Sequence, residues 1–94
     1  MAEPEDIRRR RLGILSWRRG IKEMDLILGH YSDDHLGSMT GQTLDAYEAL
    51  LQENDHDLYQ WVTGQTPAPP GFSDMIRVIR DHALARVGPG SNSA

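Results

Sequence analysis

The stretch RRGIKEMDLILGHY (18–31) decides how this chain folds. Ile21, Met24, Ile27, Leu28 and Tyr31 stand at i, i+3, i+6, i+7 and i+10. That spacing puts all five on one stripe of a helix and matches no strand, whose apolar residues would alternate. It predicts a strongly apolar helix over about 19–35. At its head Gly20, a poor helix residue, separates two arginines from a glutamate.

The same period recurs on both sides. Ile7, Ile14 and Leu15, with Leu12 and Trp17 nearby, predict a first helix over about 6–17. Leu44, Tyr47, Leu50 and Leu51 predict a third, with Thr40 as N-cap and an end near Glu53. In NDHD (54–57) an amide or a carboxylate, Asp57 among them, caps a two-turn helix. That helix carries Leu58, Trp61 and Val62 and is stopped by Gly64 in a left-handed conformation. TPAPPG (66–71) cannot continue a helix and forms a stiff connector. After it Ser73 caps a last helix, with Ile76, Ile79 and Ala83 on its inner face and Met75 and Val78 flanking, ended by Gly88-Pro89-Gly90.

Strand signals are nearly absent. The expected fold is therefore all-α: a small five-helix antiparallel bundle in one domain spanning 1–94, ordered over about 6–87, with 88–94 as a disordered tail. Ninety-four residues suffice for one core, and 38% hydrophobic with 26% charged residues is ordinary for a globular chain. No apolar run is long enough to span a bilayer. The opening residues lack a signal-peptide core, and their acids argue against a retained presequence. The expectation is a monomer in the cytoplasm, or in the mitochondrial matrix after processing.

Several chemistries are disfavoured. Without cysteine there are no disulfides, thiolate metal sites or cysteine nucleophiles. His30 and His35 are i, i+5, about 140° apart on a helix, whereas a zinc pair on one helix needs i, i+4. All four histidines read as surface or capping residues. Asp33-Asp34 and Asp55-Asp57 read as caps and solvated acids, since acid–base work needs a cleft with desolvated walls. No phosphate loop or nucleophile elbow is visible.

Charge is uneven along the chain. Arg8, Arg9, Arg10, Arg11, Arg18, Arg19 and Lys22 are seven of the ten bases, while residues 23–86 carry eleven acids against three arginines. A basic head of this kind is able to neutralise phosphates, which keeps a nucleic-acid-binding or toxin-neutralising regulator open as an alternative. The acidic body and the lack of a recognition motif weigh against it.

Gly20 has two readings, and both stand. It lets the chain turn between two helices, or it removes a Cβ so that a partner's backbone can approach between a guanidinium fork and a carboxylate. If Gly20 lay within the helix, Arg19 and Glu23 would share a face as a surface ion pair.

The segment RRGIKEMD resembles the R-G-x-x-E signature of the succinate dehydrogenase assembly factor 2 family of flavinylation factors. Its neighbours are similar too: the Arg-rich first helix, HLGSMT before the third helix, LDAYEALLQE within it, DHDLYQWVTG after it and TPAP before the last. The resemblance covers roughly 7–86. It implies a small helical chaperone, not an enzyme, that binds the flavoprotein subunit of succinate dehydrogenase, and in some bacteria that of fumarate reductase. It further implies that FAD is held by the partner, with no cofactor bound firmly here, and is joined covalently to a histidine of that partner. The signature falls on Arg19, Gly20 and Glu23, extended by Arg18 and Asp25, as the partner-binding residues.

Overall fold

A computed structural model describes residues 3–87, in which five α-helices and one 3-10 turn follow each other without a strand. These are α1 (Glu5–Ser16), α2 (Lys22–His35), α3 (Gly41–Leu51), α4 (Asp55–Thr63) and α5 (Ser73–Val87), the 3-10 turn being Leu36–Ser38. The expected 88–94 tail lies outside the described residues.

The central helix is α2, packed against α1, α4 and α5. It runs antiparallel to α1, since Gly29 meets Trp17 and Leu36 meets Gly13. It runs antiparallel to α5 as well, since Asp34 meets His82 and His30 meets Arg86. Met24, Leu28 and Tyr31 form its buried stripe, with Ile21 and Ile27 at the margins, as their spacing requires. Leu44, Tyr47, Leu50 and Leu51 of α3, Leu58, Trp61 and Val62 of α4, and Ile76 and Ile79 of α5 complete the core.

The first helix departs from expectation in its orientation. Leu12 and Ser16 are its buried residues, while Ile7 and Ile14 are about half exposed. The face is chosen by Ser16, whose Oγ donates to Leu12 O at 2.8 Å and pairs with Tyr47 Oη at 2.6 Å. With the serine proton committed to the carbonyl, Tyr47 donates. Burial pushes the Tyr47 phenol up to about 12, so it remains a donor across the physiological range.

The helix ends follow some of the capping signals in the sequence and depart from others. Asn54 caps α4, its side chain accepting from the backbone N–H groups of His56 and Asp57, so the amide caps and Asp57 is capped. Gly64 ends α4 at φ 81°, a left-handed conformation that favours glycine. Thr40 is the N-cap of α3 by backbone conformation but makes no side-chain capping bond, and the helix closes at Leu51 rather than Glu53. Ser73 is the first residue of α5, and its hydroxyl donates back to Pro70 O at 3.3 Å.

Gly29, a poor helix residue in the middle of α2, has a packing reason. A Cβ at that position would fall within the Trp17 indole. The missing side chain lets the ring lie on the backbone of α2, where Trp17 Nε1 donates to Asp33 at 3.1 Å and the ring meets His30 edge-on.

Candidate functional site

Residues 17–21 form the link between α1 and α2, and α2 begins only at Lys22, with an extended Ile21 before it. Gly20 therefore lies outside the helix, and the expected start at Arg19 is three residues early. The cause is Arg19, whose guanidinium reaches away from α2 into the α3–α4 junction. There Nε donates to Asp55 Oδ1 at 2.7 Å, Nη1 to Leu51 O at 2.9 Å and Nη2 to Glu53 O at 3.1 Å. It thus satisfies one carbonyl at the end of α3 and one in the link to α4, neither of which a further helical turn reaches.

The surface pair between Arg19 and Glu23 does not form, because Arg19 pairs with Asp55. The two side chains are 9% and 16% exposed, so this ion pair is largely withdrawn from water. Asp55 uses its other oxygen to accept the Gly20 N–H, and Asp25 of α2 accepts the Arg19 N–H. A Cβ on Gly20 would stand 2.8 Å from Asp55 Oδ2. The close approach that glycine allows here is to this internal carboxylate.

The five residues singled out in the sequence thus divide into two groups. Arg19, Gly20 and Asp25 build a fixed turn; Arg18 and Glu23 stand exposed on it, with no side-chain hydrogen bond or ion pair among the described residues. Asp55 is the member that sequence reasoning missed. Its signal was surplus: NDHD carries more acceptors than one helix start needs, and once Asn54 caps α4 the carboxylate of Asp55 is free to serve elsewhere.

Beyond Glu23 the surface continues into an apolar groove of about 730 Å³ between α2, α4 and α5. Leu26 and Ile27, Tyr59 and Val62, and Ala83 and Leu84 line it from the three helices.

The basic head is not a free cationic surface. Arg8 pairs with Asp45 and Glu48, both at 2.8 Å, and Arg11 with Glu3 at 2.8 Å and Glu48 at 2.9 Å. Arg9 bonds Glu5 and the carbonyl of Met39. Hydrogen bonds from Arg11 and then Arg8 hold the Glu48 carboxyl below its usual range. Three of the four arginines are thus spent on α3 and on the start of the chain, which removes most of the charge that nucleic-acid binding would use.

Of the histidines and paired acids, His82, Asp34, Asp33 and Asp55 are tied into the packing, while the side chains of His56 and Asp57 are exposed. His82 is not at the surface but lies with its ring against Tyr31 and His35, bonded through Nε2 to Asp34 at 2.6 Å. Asp33 holds the Trp17 indole. Among the described residues no group of histidines and acids is arranged to hold a metal ion, and no helix is long and apolar enough to cross a membrane. With no strand among them, the described residues also lack the strand, glycine loop and helix cradle that grips a dinucleotide's pyrophosphate.

Comparison with known proteins bears out the family resemblance. The family model for the flavinator of succinate dehydrogenase matches residues 10–83. The chain belongs to this family. It is similar to the mitochondrial succinate dehydrogenase assembly factor 2 of Candida glabrata, 42% identical over 84 residues, which are 84% of this chain and 55% of the relative. The corresponding protein of Lodderomyces elongisporus is 41% identical over 86 residues, 86% of this chain and 52% of the relative. The mitochondrial assembly factor 2-B of Drosophila simulans is 34% identical over 83 residues, 85% of this chain and 53% of the relative. This chain spans about half the length of the curated relatives it matches.

Proposed function

We propose that this chain is an assembly chaperone that binds the flavoprotein subunit of succinate dehydrogenase, and in some organisms that of fumarate reductase, and promotes covalent attachment of FAD to a histidine of that partner. The observation that carries the reading is the turn at 18–25. Its backbone is locked by the Arg19–Asp55 pair and by Asp25, and it displays Arg18 and Glu23 outward. A locked turn loses little conformational entropy on docking, so its contacts go into affinity and alignment. The family to which the chain belongs and the names of its relatives support the same partner.

The chain acts by arrangement and not as an acid or base. FAD stays with the partner. Arg18 offers a bidentate fork to a carboxylate or carbonyl of the flavoprotein and Glu23 an acceptor to a base or backbone N–H, together favouring the conformation in which histidine and flavin meet in attack geometry. Arg19, Gly20 and Asp25 hold the turn that presents them.

The test mixes the purified protein with apo flavoprotein subunit, FAD and a dicarboxylate, and follows covalent flavin by fluorescence of the denatured, gel-separated subunit. Covalent flavin is expected to rise only with this protein present, and Glu23→Ala is expected to slow the rise without altering its melting temperature. No rise, and no complex on size-exclusion chromatography, would overturn the proposal. Gly20→Arg is a blunter probe, because the new side chain meets Asp55 as well as any partner.

A further inference from the structure

The groove between α2, α4 and α5 is not explained by packing. Leu26 and Leu84 on its walls are 45% and 59% exposed. A concave apolar surface of this size on so small a protein marks a binding site. Its lining charges are Glu23, Arg80 and Arg86, the last beside His30 and six residues past Arg80 on α5, and the first two lie at its ends. Gly20, three residues before Glu23, sits against Asp55 at the N-terminus of α4, whereas Arg80 lies beside Gly64 at the C-terminus of the same helix. Glu23 and Arg80 therefore mark opposite ends of the groove, separated by about the length of the nine-residue α4, or roughly 13 Å at 1.5 Å per residue.

We propose that this groove seats a short amphipathic helix of the flavoprotein client, its apolar residues between the three helices, a basic residue toward Glu23 and an acidic residue toward Arg80. The inference rests on the proposed function and deepens it, since Glu23 belongs both to the R-G-x-x-E turn and to the groove.

Two other occupants fit less well. Residues 88–94 read GPGSNSA and hold no large apolar side chain to fill the groove. A second copy placing groove on groove would oppose two concavities and leave their volume empty. A second copy offering its other exposed apolar face, Ile14 and Trp17 of α1, would bring Arg10 and Arg18 with it. Those charges suit Glu23 but oppose Arg80. A client helix of about nine residues with anchors at i, i+3 or i+4 and i+7 satisfies the length, the apolar walls and the charges at the two ends, and an acidic residue toward Arg80 suits Arg86 on the same helix as well.

The experiment uses the full chain and the FAD-loaded flavoprotein subunit of succinate dehydrogenase. The Kd is measured for the unaltered protein and for Leu84→Glu, Leu26→Glu and Arg80→Glu, each checked by melting temperature. In parallel, Leu84 is replaced by the photo-crosslinking residue p-benzoylphenylalanine and the adducts are mapped by mass spectrometry. Leu84→Glu and Leu26→Glu are expected to weaken binding at least tenfold and Arg80→Glu about fivefold, with adducts falling on one helical client segment that bears a base at one end and an acid at the other. Adducts on a second copy, on this chain itself or scattered over the client would overturn the inference, and this readout stands even where a glutamate variant fails to fold. Binding by the unaltered protein that is undiminished in folded Leu84→Glu and Leu26→Glu would overturn the groove and leave the chaperone reading intact. Absence of any complex with the unaltered protein would overturn both.

Discussion

The arginines of α1 and Arg19 of the α1–α2 turn carry the same side chain in the same half of the chain, yet they do different physical work. Arg8 and Arg11 lie over α3 and share Glu48 with each other and Asp45 and Glu3 with solvent. Ion pairs in that setting are screened and add little. Arg19 is enclosed, and its donors close an ion pair and two backbone carbonyls from the α3–α4 junction. Such a group is costly to bury and more costly to leave unpaired. The number of positive charges in the head therefore says little about binding, and one enclosed arginine determines how the candidate site is shaped.

Breaking that contrast starts at Asp55. Asp55→Ala leaves the Arg19 guanidinium enclosed without its counter-charge, and a loss of about 3 kcal/mol in urea unfolding is expected. A loss no larger than that of an exposed pair would mean that Arg19 swings into water. Gly29→Ala comes next: the added methyl meets the Trp17 ring, and overpacking of this kind costs roughly 1–3 kcal/mol. Trp17 fluorescence should move to longer wavelength as the ring is displaced.

Tyr47→Phe should cost about 1 kcal/mol, because it deletes one buried hydrogen bond to Ser16 and keeps the ring. The smallest effect belongs to Glu48→Gln, whose small drop in melting temperature should vanish in high salt. The pH dependence of this exposed network has a definite sign. Glu48 is held below its ordinary value near 4.5 by hydrogen bonds from Arg11 and Arg8, and Asp34 below 3.8 by its bond to His82. A depressed carboxylate contributes stability above its unfolded value and loses it as pH falls through the folded one. The melting temperature should accordingly be level above about pH 5 and fall below pH 4.5, with a shallower fall in Glu48→Gln.

How much could be read in advance differs between core and site. On α2, α3, α4 and α5 the apolar period picked out the buried residues apart from Gly29 and Ser32 of α2, because a helix that must bury one stripe has few ways to turn. On α1 it failed: Ile7 and Ile14 are exposed and Ser16 is inside, since Tyr47 of α3 supplies a hydrogen bond that makes a serine acceptable there. The R-G-x-x-E residues and their neighbours Arg18 and Asp25 were recognisable as a group, but their division into Arg18 and Glu23, displayed outward, and Arg19, Gly20 and Asp25, tied into the turn by hydrogen bonds, was not.

The sequence by itself determined an all-helical chain, its stops at Gly64 and at the proline-rich connector, and its membership of a flavinator family. These follow from local periodicity, backbone propensity and a short ordered motif. Only the tertiary structure decided that Arg19 pairs with Asp55 across 36 positions instead of with Glu23 across four, and that α2 opens at Lys22. It also decided that Glu23 stands at the mouth of an apolar groove. The reason is physical: an enclosed guanidinium takes whichever carboxylate and carbonyls the packed helices bring within reach, and that choice is made by the fold rather than by neighbours in the chain.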